Sequence, residues 1–195
     1  MTDSRLKFAF RFLSRSPRRA RAFSLHEMLI AMAVASTLTT IGISSFQLIV
    51  LNQRMSGAIN TLVTALHLAR SEAIKRHASA VLCPSPDGRR CVNGSHDWEA
   101  GFLLYIDRND NRAVDADETV VRVFGTSDGL QLRSKSGRDD VRYLPNGLAS
   151  GTNTTFTVCD ARGRSTPKAV IVSNAGRVRT ATRMPGGGAI VCPSA

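Results

Sequence analysis

The sequence predicts an α+β protein in which one long N-terminal helix is followed by a series of short β-strands. Two observations favour the helix. The stretch from Met28 to Leu51 carries no charged residue, and between Ile59 and Ile74 apolar residues recur at spacings of three and four. After Ser79 the pattern changes to short apolar runs separated by turn residues, which is typical of strands.

The composition excludes a disordered or low-complexity chain, because 43% of the 195 residues are hydrophobic and 21% are charged. The formal net charge is +11, and it is unevenly distributed. Residues 1–22 contain seven Arg or Lys and a single acid, Asp3. More than half of the net positive charge therefore lies ahead of the first apolar segment.

The uncharged segment Met28–Leu51 predicts a single membrane span. Its 24 residues would extend roughly 36 Å as a helix, against a hydrocarbon core of about 30 Å. Basic residues ahead of it favour a cytoplasmic N-terminus and a periplasmic head. A cleaved secretory signal ending at Ala33-Val34-Ala35 is the alternative, but apolar residues continue to Leu51.

We therefore divide the chain into four segments. They are a basic leader (1–22), an inner-membrane and assembly segment of the helix (23–52), an amphipathic exported segment (53–79) and a β-rich head (80–195). Eight strands are predicted in the head, as an antiparallel sheet packed on the exported helix: Ala80–Cys83, Gly101–Ile106, Thr119–Phe124, Val141–Leu144, Thr155–Cys159, Ala169–Ser173, Arg177–Ala181 and Ala189–Val191.

The junction between the leader and the apolar segment carries a specific motif. The sequence reads Ala22-Phe23-Ser24-Leu25-His26-Glu27, and a carboxylate at the edge of an apolar segment needs a cation or water. This junction resembles the class III leader of type IV pilins and type II secretion pseudopilins, with Ala22 in place of the usual Gly and His26 in place of an apolar residue. The resemblance implies that a prepilin peptidase cuts between Ala22 and Phe23 and methylates Phe23. It also implies that Glu27 pairs with the terminal amine of a neighbouring subunit during filament assembly.

Further blocks in the head resemble the GspH/FimT family of minor pilins and pseudopilins. They occur in this order along the chain: Leu66–Arg76 (LHLARSEAIKR), Ala80–Ser85 (AVLCPS), Trp98–Phe102 (WEAGF), Tyr105–Asn111 (YIDRNDN), Leu144–Gly147 (LPNG), Phe156–Cys159 (FTVC) and Gly176–Arg179 (GRVR). The resemblance implies a type IV pilin-like fold and a structural subunit of a type IV pilus or a type II secretion pseudopilus. Its implied partners are the prepilin peptidase, other pilin-like subunits and the inner membrane.

Four cysteines in an exported domain predict two disulfides. Of the three pairings, Cys83–Cys91 with Cys159–Cys192 is favoured because each bridge then closes a local unit. A zinc site formed by Cys83, Cys91 and His96 is the alternative. It lacks the usual Cys-x2–4-Cys spacing and a fourth ligand.

An acidic segment in the head matches the ligand spacing of a calcium loop. The residues at loop positions 1, 3, 5, 9 and 12 are Asp107, Asn109, Asn111, Asp115 and Glu118. Position 6 is Arg112, where such loops carry Gly, and no helices flank the segment. A solvated connection between two strands is therefore favoured over a calcium site.

The C-terminal region is basic and lacks acids after Asp160. On a strand, Arg177 and Arg179 project from one face, and Gly176 lets the chain turn before them. A solvated charged surface is the alternative to a ligand site. Gly176-Arg177-Val178-Arg179 resembles the GRxR element of FimT-type minor pilins, which implies binding of double-stranded DNA for natural transformation. Aromatic stacking partners are scarce nearby, so such binding would be independent of sequence. Four further cations are candidates for support: Arg162, Arg164, Lys168 and Arg183.

The sequence does not favour an enzyme and predicts no cofactor. The four histidines are scattered and form no catalytic or ligand spacing, and no phosphate-cradling glycine motif is present. The main alternative to a DNA-binding minor pilin is type II secretion system protein H, a minor pseudopilin that assists protein export and does not bind DNA.

Overall fold

In a computed structural model the protein is described over residues 24–125 and 128–192, without the side chains of residues 40–45. The described residues form one helix and eight strands. They are α1 (Leu25–Arg76), β1 (Ser79–Pro84), β2 (Phe102–Asp107), β3 (Thr119–Phe124), β4 (Leu130–Arg133), β5 (Val141–Tyr143), β6 (Thr154–Asp160), β7 (Lys168–Val172) and β8 (Val178–Ala181). The predicted α+β class, with an N-terminal helix on antiparallel β-structure, is confirmed.

The strands form two four-stranded antiparallel sheets where a single sheet was expected. Sheet 1 has the order β3-β2-β1-β5, and sheet 2 has the order β4-β6-β7-β8. The predicted strand at Ala189–Val191 is wrong, since these residues form no strand. Ile190 is nevertheless buried, so its apolar character reflects packing outside the sheets. Strand β4 is absent from the prediction.

Helix α1 begins with a side-chain cap. The Ser24 hydroxyl accepts a hydrogen bond from the Glu27 N–H at 3.2 Å, which satisfies one free donor of the first turn. Glu27 lies in that first turn and is exposed, and the described side chains from Leu25 to Thr39 are exposed as well. Within the described residues, no helix is both long and apolar enough to cross a membrane. The uncharged segment includes residues 40–45, whose side chains lie outside the described part.

The main core lies between the exported half of α1 and both sheets. Apolar residues along one side of α1, from Met55 to Ala73, are buried against the inner faces of β1, β2, β5, β6 and β7. Trp98 contacts both sheets. Its backbone N–H donates to the Leu132 carbonyl of sheet 2 at 2.8 Å, and its ring packs edge-on to Phe156 of sheet 2 at 4.9 Å and against Phe102 of sheet 1 at 5.6 Å. The alternation of apolar residues in the strands thus serves one shared core.

The outer faces of β1 and β2 in sheet 1 are buried too, under two connections. Val81, Cys83, Leu103 and Tyr105 form a second apolar cluster that packs against Cys91 and Val114. Strands β1 and β2 are therefore buried along their whole length, which explains their continuous apolar sequences.

Both cysteine pairs are bonded in the favoured arrangement. Cys83 bonds Cys91 with Cα atoms 5.5 Å apart, and Cys159 bonds Cys192 with Cα atoms 6.0 Å apart. Because Cys83 and Cys91 are bonded to each other, the alternative zinc site is not formed.

Candidate nucleic-acid interface

The GRxR residues lie on the hairpin that joins β7 to β8, the edge strand of sheet 2. Its loop has three residues, Asn174, Ala175 and Gly176. The Ser173 N–H donates to the Arg177 carbonyl at 3.0 Å, and the Gly176 N–H donates to the Ser173 carbonyl at 2.8 Å. Gly176 has φ of 71°, the left-handed conformation that closes such a loop and that favours glycine.

Gly176 is buried, so it positions the hairpin and does not form part of its surface. A Cβ atom at this residue would lie 2.2 Å from the carbonyl oxygen of Gly147, in the turn after β5. Arg70 of α1 donates from Nη1 to the Gly176 carbonyl at 3.0 Å. The LPNG and GRxR elements therefore meet at one contact, held by the helix.

Arg177 and Arg179 are both exposed and lie on the outer face of sheet 2. Arg179 pairs with Ile171, whose neighbours Val170 and Val172 are in the core, so Ile171 and Arg179 face outward. Arg177 precedes Arg179 by two residues, which places the two side chains about 7 Å apart along the strand. With Ile171, Ser173 and Val178 they line a shallow cavity of ≈ 340 Å³. We call Arg177 and Arg179 the hairpin patch.

In the described part of the chain, no acidic side chain pairs with the hairpin patch. Among the described residues, neither arginine forms a salt bridge, and the same holds for Arg162, Arg164, Lys168 and Arg183. The nearest acid in the sequence, Asp160, accepts a hydrogen bond from the backbone N–H of Arg164 at 2.8 Å. Unpaired guanidinium groups on an exposed edge are suited to an anionic ligand.

None of the four supporting cations predicted from sequence lies in this patch. Arg162 and Arg164 lie in the β6–β7 connection, at the opposite end of β7 from the hairpin. There they line a second cavity of ≈ 310 Å³ together with Arg54 of α1, and Arg164 Nη1 donates to Gln47 at 3.3 Å. We call Arg54, Arg162 and Arg164 the loop patch. Sequence reasoning missed Arg54, although it is the first cation after the uncharged segment.

Lys168 and Arg183 also lie apart from the hairpin patch. Lys168 shares the strand parity of Val170 and Val172, so alternation places it on the core side of sheet 2. Arg183 follows β8 and donates from Nη1 to the Gly187 carbonyl at 3.3 Å. Of the predicted processing and assembly residues, Ala22 and Phe23 lie outside the described residues, and Glu27 is in the first turn of α1.

Of the calcium candidates, Asp107 is the last residue of β2, and the other four lie in the β2–β3 connection. In the described part of the chain, no group of three or more His, Cys, Asp or Glu side chains is arranged to hold a metal ion. Two of the five candidate donors, Asn109 and Asn111, are amides.

The family model described as Type II transport protein GspH matches residues 58–176. The chain belongs to the GspH family. The matched segment covers the exported part of α1 and the head as far as Gly176, so both arginines of the hairpin patch lie just beyond it. No curated protein matches the chain.

This GspH-family chain is similar to three solved structures, and it shares its fold with the first of them. The type IV minor pilin FimU of Pseudomonas aeruginosa PAO1 is 22% identical with a TM-score of 0.52, covering 71% of this chain and 94% of FimU. A second crystal form of FimU gives a TM-score of 0.49. The minor pseudopilin EpsH of the Vibrio cholerae type 2 secretion system is 17% identical with a TM-score of 0.43, covering 66% and 96% of the two chains.

Proposed function

We propose that this chain is a minor subunit of a type IV pilus or a type II secretion pseudopilus, and that its hairpin patch binds double-stranded DNA. Membership of the GspH family and the fold shared with the minor pilin FimU support the first part. Two exposed, unpaired arginines on a braced edge hairpin support the second part.

The assembly role rests on the N-terminal sequence. A basic leader, the Ala22-Phe23 junction and an uncharged segment are the features that a membrane-held, peptidase-processed subunit needs. Glu27 is exposed in the first turn of α1, where its carboxylate is available to the amine that processing creates on another subunit.

Processing gives the direct test of the assembly role. When the full chain is co-expressed with a prepilin peptidase, we expect mass spectrometry to find a product that lacks residues 1–22 and begins at methylated Phe23. An intact Met1 end, or a cut near Ala35, would contradict the filament-subunit proposal.

The DNA-binding role rests on charge and placement. Arg177 and Arg179 present two guanidinium groups from one strand face, and a guanidinium group binds phosphate in a bidentate manner. Strand β8 offers no aromatic ring for base stacking, because its residues are Val178, Arg179, Thr180 and Ala181. Binding should therefore be electrostatic, independent of sequence and strongly salt-dependent.

The test is a gel-shift titration of the full chain in neutral detergent with random duplex DNA. We expect the affinity of the double variant Arg177→Ala/Arg179→Ala for DNA to fall by about tenfold or by a larger factor, because two charge-assisted contacts are lost. The slope of log affinity against log salt should fall by about 2, since each phosphate contact contributes about one unit.

Arg89→Ala/Arg90→Ala provides the matched control. It removes the same charge from two exposed arginines in the connection between β1 and β2, and should leave affinity nearly unchanged. Equal losses in both double variants would mean that net charge alone attracts DNA. Unchanged binding by the hairpin variant would favour a minor pseudopilin of the type II secretion system that does not bind DNA.

A further inference from the structure

We propose that the loop patch, Arg54, Arg162 and Arg164, binds the phosphate groups of anionic phospholipids at the surface of the bilayer. This assignment rests on the membrane-held subunit proposed above, and it gives the loop patch a ligand other than DNA. Three observations carry it: the unpaired charge of the patch, the apolar wall beside it and its distance from the hairpin patch. Such binding would fix the orientation of the head at the membrane before assembly.

The connection between β6 and β7 is held against α1 by two hydrogen bonds. Arg164 donates from Nη1 to the side-chain oxygen of Gln47 at 3.3 Å, and the Ser165 hydroxyl donates to the side-chain oxygen of Asn52 at 2.7 Å. Gln47 and Asn52 are about one and a half helical turns apart, so the connection is fixed to α1 at two levels. Its two arginines are thereby placed beside the last residues of the uncharged segment.

The loop patch carries three positive charges and no paired acid. All three arginines are exposed, and within the described residues none of them forms a salt bridge. The sequence has no acid between Glu27 and Glu72, and residues 161–167 contain none either. The neighbouring Asp160 is buried and accepts a hydrogen bond from the Arg164 N–H at 2.8 Å. The three guanidinium groups are therefore available to phosphate, which a guanidinium group can bind through two parallel hydrogen bonds.

An apolar wall distinguishes the loop patch from the hairpin patch. The cavity of ≈ 310 Å³ at the loop patch is also lined by Phe46, Val50 and Leu51, which are among the last apolar residues of the uncharged segment. Phe46 is 65% exposed, and Leu48 and Ile49 beside it are exposed as well. A contiguous apolar surface next to cations is suited to an amphipathic ligand. A phospholipid supplies both a phosphate for the arginines and apolar chains for the wall, whereas a nucleic-acid backbone supplies only the phosphate.

The two basic patches lie at different levels of α1. The hairpin patch is tied to the helix at Arg70, which donates to the Gly176 carbonyl at 3.0 Å, whereas the loop patch is tied to it at Gln47. A helix rises 1.5 Å per residue, so these two contacts are roughly 35 Å apart along the helix axis. When the uncharged segment is held in the bilayer, the loop patch lies at the level of the headgroups and the hairpin patch lies well outside them.

Arginines at the end of an apolar segment suit the membrane surface. Their stems can cover apolar surface while the guanidinium groups reach the headgroups, and Arg54 follows the uncharged segment by three residues. The β6–β7 connection brings two more guanidinium groups to the same level of the helix. Each arginine near an anionic membrane surface strengthens binding by about fivefold, and salt screens this attraction. The loop patch should therefore distinguish anionic from uncharged lipid.

Hydrogen-exchange mass spectrometry of the full chain in lipid nanodiscs tests the site. One kind of disc contains phosphatidylcholine alone, and the other contains phosphatidylglycerol as well. We expect amide exchange across residues 161–166 to be slower in the anionic discs by about fivefold or by a larger factor, because bound lipid covers the connection. The difference should shrink at about 1 M salt, where the Debye length is about 3 Å.

The double variant Arg162→Ala/Arg164→Ala should remove the difference between the two kinds of disc. Both side chains are exposed, and the hydrogen bond from residue 164 to Asp160 comes from the backbone, so the variant retains it. Arg177→Ala/Arg179→Ala is the matched control, because it removes the same charge at the other end of β7. It should keep the lipid-dependent difference in exchange while it loses affinity for DNA.

Equal exchange in the two kinds of disc would overturn the assignment, because the loop patch would then have no anionic lipid as its ligand. A loop-patch variant that kept the lipid-dependent difference would overturn it as well. So would a loop-patch variant that lost DNA binding as fully as the hairpin variant, since the arginines would then serve the nucleic-acid interface. A chain that entered neither kind of disc would contradict the membrane-held subunit itself, which separates that failure from the other three.

Discussion

Two segments that join neighbouring antiparallel strands use their polar residues in opposite ways. One is the segment from Asp107 to Glu118 between β2 and β3 of sheet 1, which we call the acidic loop, and the other is the β7–β8 hairpin of sheet 2. In the acidic loop the side chains fold the loop: Asp107, Asn109, Asn111 and Glu118 each accept a hydrogen bond from a loop N–H. In the hairpin the backbone and Gly176 make the turn, with help from the Ser173 hydroxyl.

The consequence concerns which charges remain available to a ligand. Carboxylates that satisfy their own loop are partly committed to structure, and a ligand must compete with those internal hydrogen bonds. Arg177 and Arg179 make no side-chain contact of this kind in the described part of the chain, so a phosphate need displace only water. The two sites should therefore differ in what their disruption does. Changes at the acidic loop should alter stability, whereas changes at the hairpin arginines should alter DNA binding alone.

Of the changes that test this comparison, Gly176→Ala should cause the largest loss of stability. The new Cβ would lie 2.2 Å from the Gly147 carbonyl oxygen, and Gly176 has φ of 71°, so both the hairpin and the LPNG turn must move. We expect a loss of about 3 kcal/mol or more in the free energy of unfolding. The check is urea denaturation with the disulfides intact.

Gly151→Ala separates the effect of the left-handed backbone conformation from the effect of the close contact with Gly147. Gly151 has φ of 78°, but a Cβ there would meet no atom within 4 Å. It should cost about 1–2 kcal/mol, the price of the left-handed conformation alone. If the two variants lost the same stability, the contact between Gly176 and Gly147 would not brace the hairpin, and the account of the hairpin patch would fail.

Local patterns predicted most elements of the head. Thr119–Phe124 is recovered with its bounds, and six other strands agree to within two residues, because turn residues bracket each apolar run. Strand β4, Leu130–Arg133, has the alternation of a strand but only four residues, and its pairing with β6 lies far along the chain. The division into two sheets depends on such long-range pairing, which no local pattern encodes.

For the candidate site, too, the local sequence predicts one part, and the rest depends on contacts between distant residues. That Arg177 and Arg179 share a face follows from the period of a strand. That Arg162 and Arg164 belong to a different surface does not, because it depends on where the β6–β7 connection meets α1. The hydrogen bond from Arg164 to Gln47 joins residues 117 positions apart, and it brings Arg54 into the loop patch.

The smallest change in stability is expected at Asp140. Its carboxyl Oδ1 lies 3.9 Å from Arg112 Nη1 of the acidic loop. Burial raises the pKa of Asp140 above its ordinary value, and the charge of Arg112 only partly opposes this. A raised folded-state pKa means that the protonated form favours folding, a contribution present below the unfolded pKa and lost as pH rises through the folded pKa. Asp140→Asn should therefore stabilise the protein slightly at neutral pH and flatten this part of its pH dependence.

Urea midpoints measured at neutral and mildly acidic pH test this prediction, with Asp128→Asn as the control at an exposed acid outside the acidic loop. The gain should be confined to Asp140→Asn and should shrink as the pH is lowered, because wild-type Asp140 then becomes protonated as well. If Asp140→Asn were instead destabilising at neutral pH, the ion pair with Arg112 would outweigh the cost of burial. The acidic loop would then be held to the protein by paired charge, and its contrast with the unpaired hairpin patch would be sharper.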